Sequence, residues 1–131
     1  MSTSQELIRN TIAQVAIAIN QKDWRSLETL FTSDAASTYP APIGEHTSFR
    51  SFQKSLEGIL KDISTQHSLT TQFINVDDSA MVTTYVTTVA AGAGGGATHT
   101  SSGVYKDELI MVEFDGQERW LLVKRIASTF P

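Results

Sequence analysis

The first half of the chain places apolar residues at the spacing of helices. Thr3 and Glu6 form a capping box for a predicted helix at 4–20. One face of this helix carries four apolar residues at helical spacing: Ile8, Ile12, Val15 and Ile19. The same spacing predicts two more helices, at 24–32 and 49–62, capped by Asp23 and Ser48. The N-terminal half is therefore expected to supply three helices.

After His67 the pattern changes from helical spacing to alternation with many β-branched residues, which is typical of strands. It predicts four long strands, at 65–76, 81–91, 98–114 and 119–128. Asp77-Asp78-Ser79 and Asp115-Gly116 have the composition of tight hairpin turns, so neighbouring strands are expected to pair as an antiparallel meander. A short strand, Ala35 to Tyr39, precedes them and ends at a proline.

A glycine-rich segment at 90–97 interrupts the strand pattern. It lacks the Lys-Ser/Thr of a phosphate-binding P-loop and is followed by strand residues. We interpret it as a flexible connection between two long strands, with a phosphate-binding loop as the alternative.

Composition narrows the classes of function. The chain has 131 residues, of which 40% are hydrophobic and 18% charged, as expected for one globular domain spanning 1–131. A net charge of −4 without a basic run argues against nucleic acid and anionic membranes as partners, and no span or signal pattern is present, so a cytoplasmic location is expected. The chain has no cysteine, and His46, His67 and His99 lack metal-ligand spacing. We therefore expect no metal and no cofactor.

The order of these elements resembles the cone-shaped fold of the nuclear transport factor 2-like superfamily. Four segments resemble its SnoaL-like branch: Lys22 to Leu27, Thr65 to Leu69, Gly103 to Asp107 and Trp120 to Arg125. The resemblance covers the whole chain. It implies an α+β domain in which three N-terminal helices wrap a curved antiparallel sheet around a pocket for a small hydrophobic molecule.

The resemblance also implies a range of activities. The branch includes polyketide cyclases, scytalone dehydratase-like enzymes and fungal isomerases that act on polyketide, terpenoid or alkaloid intermediates, and also members without known catalytic activity. The dehydratase-like members carry a Tyr-Asp pair where this chain has Ile19-Asn20. This difference argues against the same dehydration chemistry.

His67 is the first catalytic candidate. It opens a long strand, where the resembling enzymes keep an acid/base histidine, and an imidazole exchanges protons near neutral pH. Alternation puts it on one strand face with Thr65, Leu69, Thr71 and Phe73. The alternative is a hydrogen-bonded histidine in the core or at a sheet edge.

Asp107 is the second candidate, since alternation places it with Tyr105, Leu109 and Met111. A carboxylate among apolar residues is costly unless it is paired or functional, so it is expected to orient His67 or to act as the base. The alternative is a solvated strand edge. Arg125 is expected either to neutralise a substrate carboxylate or to pair with Glu113 or Asp107.

Tyr39 and Tyr85 are candidates for holding a substrate oxygen through their phenolic groups, with ordinary core packing as the alternative for each. Tyr39 matches a pocket tyrosine of the resembling enzymes. The remaining expected contacts with substrate come from the following residues: Trp24, Phe52, Leu69, Phe73, Tyr105, Leu109, Met111 and Arg125.

We favour a cofactor-independent isomerase, cyclase or dehydratase acting on a natural-product intermediate. One alternative is a noncatalytic binding domain of the same fold. The other is an epoxide hydrolase-like enzyme. That reaction needs an Asp-Arg-Asp set, and only Asp107 and Arg125 are candidates for it. The sheet face away from the pocket is expected to form a homodimer, because a set of its apolar residues alternates out of phase with the pocket: Val82, Val86, Ile110, Val112, Leu121 and Val123.

Overall fold

The computed structural model describes residues 2–92, 96 and 98–130. Within them the helices are α1 (Ser4–Gln21), α2 (Trp24–Glu28) and α3 (Phe49–Ile59). The strands are β1 (Phe31–Thr38), β2 (Glu45–His46), β3 (Ile63–Val76), β4 (Ser79–Gly92), β5 (Thr98–Phe114) and β6 (Gln117–Thr129). The middle of the glycine-rich segment lies outside the described residues, so neither interpretation of it is tested.

The helix starts follow their local capping signals. In α1 the Thr3 hydroxyl accepts from the Glu6 amide and the Glu6 carboxylate accepts from the Thr3 amide, which confirms the capping box. Asp23 and Ser48 cap α2 and α3 as predicted. The ends of α2 and α3 were predicted three to four residues too late, because the chain enters a strand soon after each of them, whereas the end of α1 was predicted to within one residue. Phe31 opens β1 and Ile63 opens β3.

The sheet runs in the order β2-β1-β6-β5-β4-β3. The meander from β3 to β6 is antiparallel, as predicted, and both tight turns are present. Asp115 and Gly116 have positive φ, as a two-residue type I′ turn requires. The short strand β1, whose direction the sequence does not predict, pairs with β6 in parallel, so the sheet as a whole is mixed. The result is an open, curved mixed sheet covered by three helices, an α+β domain.

Two irregularities of pairing decide which side chains face the helices. In β3, Leu69 lies opposite Val86 but Gln72 opposite Thr84, so β3 carries one extra residue. Beyond this bulge the alternation reverses, and Phe73 turns to the outer face, where 69% of it is exposed. The prediction that Phe73 lines a pocket was therefore wrong. Thr71 is exposed for the same reason.

The second bulge lies in β6. Glu108 pairs with Lys124 and Leu109 with Leu122, so Val123 is the extra residue. Trp120 and Leu122 face the helices before the bulge, and Arg125 and Ala127 face them after it. The bulge therefore turns the Arg125 side chain into the interior.

The main core lies between the helices and the inner face of the sheet. It includes residues from every helix and from β4, β5 and β6: Ile8, Ile12, Val15, Leu27, Phe52, Leu56, Val82, Leu109, Trp120 and Leu122. Val82 and Val86 are 2% and 6% exposed and belong to the inner face. The expectation that these two valines form the outer face was therefore wrong. None of the described helices is both long and apolar enough to cross a membrane.

The outer face carries large apolar side chains that remain exposed, among them Phe73, Met81, Tyr85 and Ile126. Tyr85 is 43% exposed and its ring packs 5.5 Å from that of Phe130. Tyr85 therefore lies on the opposite side of the sheet from His67, and its prediction as an interior catalytic residue was wrong. Strand alternation, with β4 unbroken at this position, accounts for the difference.

Gly103 is expected to be essential to the packing of β5 against β6. A Cβ built on it overlaps the backbone carbonyl of Ser128, whereas a Cβ on Gly58 of α3 meets nothing within 4 Å. We expect Gly103→Ala to lower the free energy of unfolding by about 1–3 kcal/mol. Gly58→Ala, the matched control, is expected to raise it by up to about 1 kcal/mol, since alanine favours helix. Urea denaturation measures both, and a neutral Gly103→Ala contradicts this packing.

Candidate functional site

A cluster of polar side chains lies on the inner face of the sheet at the end where the strands leave the main core. β3 contributes His67, β5 contributes Tyr105 and Asp107, and β6 contributes Arg125, while Tyr39 follows directly after β1. Arg125 and Asp107 are each 1% exposed and Tyr105 is 7% exposed, whereas His67, Tyr39 and the neighbouring Leu69 are half-buried. Solvent therefore reaches the cluster at these three half-buried residues.

Arg125 and Asp107 form a bidentate ion pair in the interior. Nε of Arg125 lies 2.7 Å from Oδ1 of Asp107, and Nη2 lies 3.0 Å from Oδ2. The pairing of Arg125 with Asp107 was one of the two ion pairs expected from the sequence. Because both carboxylate oxygens face Arg125, Asp107 is not the hydrogen-bond partner of His67, and that expectation was wrong.

Arg125 also organises the two tyrosines of the cluster. Its Nη1 donates to the Tyr39 hydroxyl at 3.2 Å, and its guanidinium carbon lies 3.9 Å from the centre of the Tyr105 ring, a cation–π distance. Burial alone lowers the pKa of Arg125, but Asp107 raises that pKa well above its usual value. Burial also raises the pKa of Tyr39 and of Tyr105. At neutral pH the arginine is charged and both phenols keep their protons.

His67 is held by the last turn of α1. Its Nδ1 lies 2.6 Å from Oδ1 of Asn20, and the Thr65 hydroxyl donates to the same oxygen at 3.1 Å. Burial, followed by the charge of Arg125, lowers the pKa of His67 from 6.5 to about 4. The imidazole is therefore neutral at pH 7 and accepts protons only weakly.

The structure brings together only part of the predicted apolar wall. Phe52 is fully buried and stacks on Tyr39 at 5.3 Å. Leu69 packs against a small buried cluster: Val86, Tyr105 and Ala127. Leu109 is fully buried in the main core. Met111 is 44% exposed near the end of β5, so its predicted place in a buried wall was wrong.

Trp24 lies elsewhere. It lines a cleft of about 340 Å³ between α2 and α3, together with the following residues: Arg25, Glu28, Arg50, Gln53, Lys54 and Glu57. A second cavity of about 310 Å³ opens beside α1 and Arg119. His67 and Arg125 line neither cavity, so the predicted role of Trp24 as a wall beside His67 was wrong.

Asn20 is the member of the cluster that the sequence did not reveal. The family resemblance marks position 20 only as the place where an acidic residue is missing. The signal available in the sequence was an amide directly after the buried face of α1, in the last turn of that helix. Only the approach of β3, more than 40 residues later, gives this amide a role.

The other histidines serve elsewhere. Nδ1 of His46 lies 2.7 Å from the Ser51 hydroxyl and Nε2 lies 2.7 Å from the Ile43 carbonyl oxygen, so His46 fastens the loop after Tyr39 to α3. His99 is exposed. In the part of the chain that the structure describes, no three His, Asp or Glu side chains are grouped to hold a metal ion.

Comparison with known proteins agrees with this fold. The SnoaL-like domain family matches residues 1–126. No curated protein matches the chain in sequence. The fold of a hexachlorocyclohexane dehydrochlorinase, LinA type 2, superposes with a TM-score of 0.81 at 18% identity, covering 96% of this chain and 84% of that one.

Two more solved structures are similar. ActVI-ORFA from Streptomyces coelicolor has a TM-score of 0.75 at 16% identity, covering 93% of each chain. A protein of unknown function from Mycobacterium tuberculosis has a TM-score of 0.77 at 22% identity, covering 94% of this chain and 74% of that one. At these identities the likeness establishes the fold.

Removing the carboxylate from the buried ion pair is expected to destabilise the protein strongly. Asp107→Leu leaves the Arg125 charge in the interior without an anion, which costs about 3–5 kcal/mol of unfolding free energy. The double variant Asp107→Leu with Arg125→Met removes both charges and is expected to lose less. Urea denaturation compares the two, and a single variant more stable than the double variant contradicts this expectation.

Protonation of His67 is expected to destabilise the fold. Since its pKa is about 4 when folded and near 6.5 when unfolded, the unfolded chain takes up the proton first as the pH falls. The His67 contribution is complete above pH 6.5, and about 2 kcal/mol of it is lost by about pH 4.5. Urea denaturation near neutral pH and at the lower pH measures the total loss, and the His67 part is the difference between the unaltered protein and His67→Gln. The total loss should therefore be about 2 kcal/mol smaller in His67→Gln, and equal losses in both proteins contradict the assignment.

Proposed function

The chain belongs to the SnoaL-like domain family, and from this we propose that it is a cofactor-independent enzyme that moves a proton on a small hydrophobic molecule bearing oxygen. The proposed reaction is an isomerisation, cyclisation or dehydration of a polyketide, terpenoid or alkaloid intermediate. The observation that carries the proposal is a neutral, half-buried His67 beside a cluster of phenolic and guanidinium donors.

In the proposed mechanism Nε2 of His67 takes a proton from a carbon next to a carbonyl group. The electron pair of the broken C–H bond moves to the carbonyl oxygen, and the Tyr39 hydroxyl donates to that oxygen. Tyr39 suits this task because its oxygen already accepts from Arg125, which polarises the O–H bond. Return of the proton from Nε2 to another carbon gives isomerisation. In dehydration the electron pair of the enolate expels a β-hydroxyl group, which takes the proton from Nε2 and leaves as water.

One structural neighbour supports proton removal as the chemistry of this fold. It is named a dehydrochlorinase, and dehydrochlorination removes a proton together with a chloride. The comparison with the dehydrochlorinase applies to this chain only in part. Asn20 contacts His67 with a neutral amide, which stabilises a protonated histidine less than a carboxylate does.

The alternative function is a noncatalytic domain that binds a small molecule at the same place. The contact between Asn20 and His67 favours this noncatalytic function, because it holds His67 in place as a hydrogen-bond acceptor for a bound molecule. The epoxide hydrolase-like reaction is disfavoured, because Asp107 is the one carboxylate bonded to Arg125 among the described residues.

A second copy of the chain is the proposed partner, bound through the outer face of the sheet. The corrected set of exposed apolar residues on that face is Phe73, Met81, Tyr85, Val89 and Ile126. The other residues that the sequence assigned to this face are half-buried: Ile110, Val112, Leu121 and Val123. Exposed apolar side chains grouped on one sheet face favour an interaction there. A cytoplasmic location remains part of the same proposal.

Exchange of solvent deuterium into a ketone tests the proposed activity. β-Tetralone is an uncharged bicyclic ketone with acidic C–H bonds beside its carbonyl. We expect the protein to accelerate its exchange in D₂O, and His67→Gln to reduce that acceleration by about 10²-fold or more. His99→Gln, which changes an exposed histidine, is the matched control.

Proton NMR follows both the exchange and the binding of β-tetralone. Exchange that persists unchanged in His67→Gln contradicts the role of His67. Binding without any exchange supports the noncatalytic alternative.

A further inference from the structure

The contact between α1 and β3 fixes more than the position of His67. The oxygen of the Asn20 amide lies against two groups, Nδ1 of His67 at 2.6 Å and the Thr65 hydroxyl at 3.1 Å. Thr65 and His67 are two residues apart on one strand, so both point to the inner face and reach the same amide. An amide oxygen has two lone pairs and accepts both hydrogen bonds.

We propose that Asn20 is a positioning residue that holds His67 in the tautomer protonated on Nδ1, so that Nε2 faces the ligand as an unprotonated acceptor. The proposal assigns to the amide the choice of which ring nitrogen meets the ligand. It rests on the proposed function only in naming the ligand's site.

The position of the amide is set by the end of α1. Lys22 adopts a left-handed conformation and its amide donates to the carbonyls of Ala18 and Ile19, which terminates the helix. The Asp23 amide also donates to Ala18, at 2.8 Å. Ile19 is 5% exposed and anchors the last turn in the core. Asn20 is therefore held on a rigid element when β3 packs against it.

The surroundings of His67 support a neutral ring. Arg125 of β6 is the charged group that acts on it from another strand, and it disfavours a second positive charge. β4 presents Thr88 opposite His67, and α1 presents Asn20, neither of which carries charge. No carboxylate is among the described hydrogen-bond partners of His67, so the ring remains neutral and one nitrogen stays unprotonated.

This arrangement selects the chemistry of the ligand. An unprotonated Nε2 binds a group with a hydrogen to donate, such as an alcohol, a phenol or an acidic C–H bond. Tyr39 offers the complementary donor to a carbonyl or ether oxygen. The preferred ligand is therefore an uncharged molecule that carries a donor and an acceptor.

Long-range ¹H–¹⁵N NMR of the imidazole nitrogens tests the proposal on the protein alone, without ligand. We expect a pyrrole-like Nδ1 and a pyridine-like Nε2 in His67 at neutral pH. Asn20→Leu is expected to remove the preference for this single tautomer, and Thr65→Val to keep it, because the amide remains. A His67 with the proton on Nε2, or one unaffected by Asn20→Leu, overturns the proposal.

Asn20→Asp gives a second readout that does not depend on the apolar variant folding. A carboxylate at the same distance is expected to increase the proton affinity of His67 by about tenfold to a thousandfold. Titration of the His67 resonances by NMR measures this change, with His99 as an internal control. An unchanged His67 titration in Asn20→Asp overturns the proposal. Because no substrate is involved, a failure of β-tetralone exchange leaves these outcomes unaffected.

Discussion

The charge of Arg125 is the constraint on which the candidate site depends. A guanidinium with 1% exposure is stable only when an anion and hydrogen-bond acceptors surround it. Asp107 is its direct cross-strand partner in the register of β5 and β6, so the pair forms between two neighbouring strands. The face of the guanidinium contacts the Tyr105 ring, and its Nη1 donates to the Tyr39 hydroxyl. Its positive charge also contributes to lowering the pKa of His67.

The interior position of Arg125 depends in turn on one extra residue in β6. Continuous alternation from Trp120 and Leu122 would turn Lys124 and Ile126 inward, and the bulge at Val123 brings Arg125 there instead. A sequence pattern does not mark such a bulge, because Val123 is an ordinary strand residue. Alternation correctly grouped Tyr105, Asp107 and Leu109, where β5 is unbroken, and it failed at Phe73, which lies beyond the bulge in β3.

Features set by neighbouring residues were predictable, and features set by distant ones were not. The caps at Thr3, Asp23 and Ser48 depend on contacts three residues away, and all three were predicted. The parallel pairing of β1 with β6 joins residues about 90 positions apart, and Phe31 was assigned to a helix for want of that contact. Asn20 and His67 meet across 47 positions, so the sequence suggested a candidate base but not its partner.

The balance of charge in the cluster favours an uncharged ligand. Arg125 is already neutralised by Asp107, and His67 and the two phenols are neutral at pH 7. A ligand carboxylate entering this site would lose its hydration without gaining an unpaired cation, which is costly in a buried environment. An uncharged ketone or alcohol loses less hydration and meets both a donor at Tyr39 and an acceptor at His67. In the proposed mechanism Arg125 acts through the Tyr39 phenol that it polarises, and this geometry does not favour the expectation that Arg125 binds a substrate carboxylate directly.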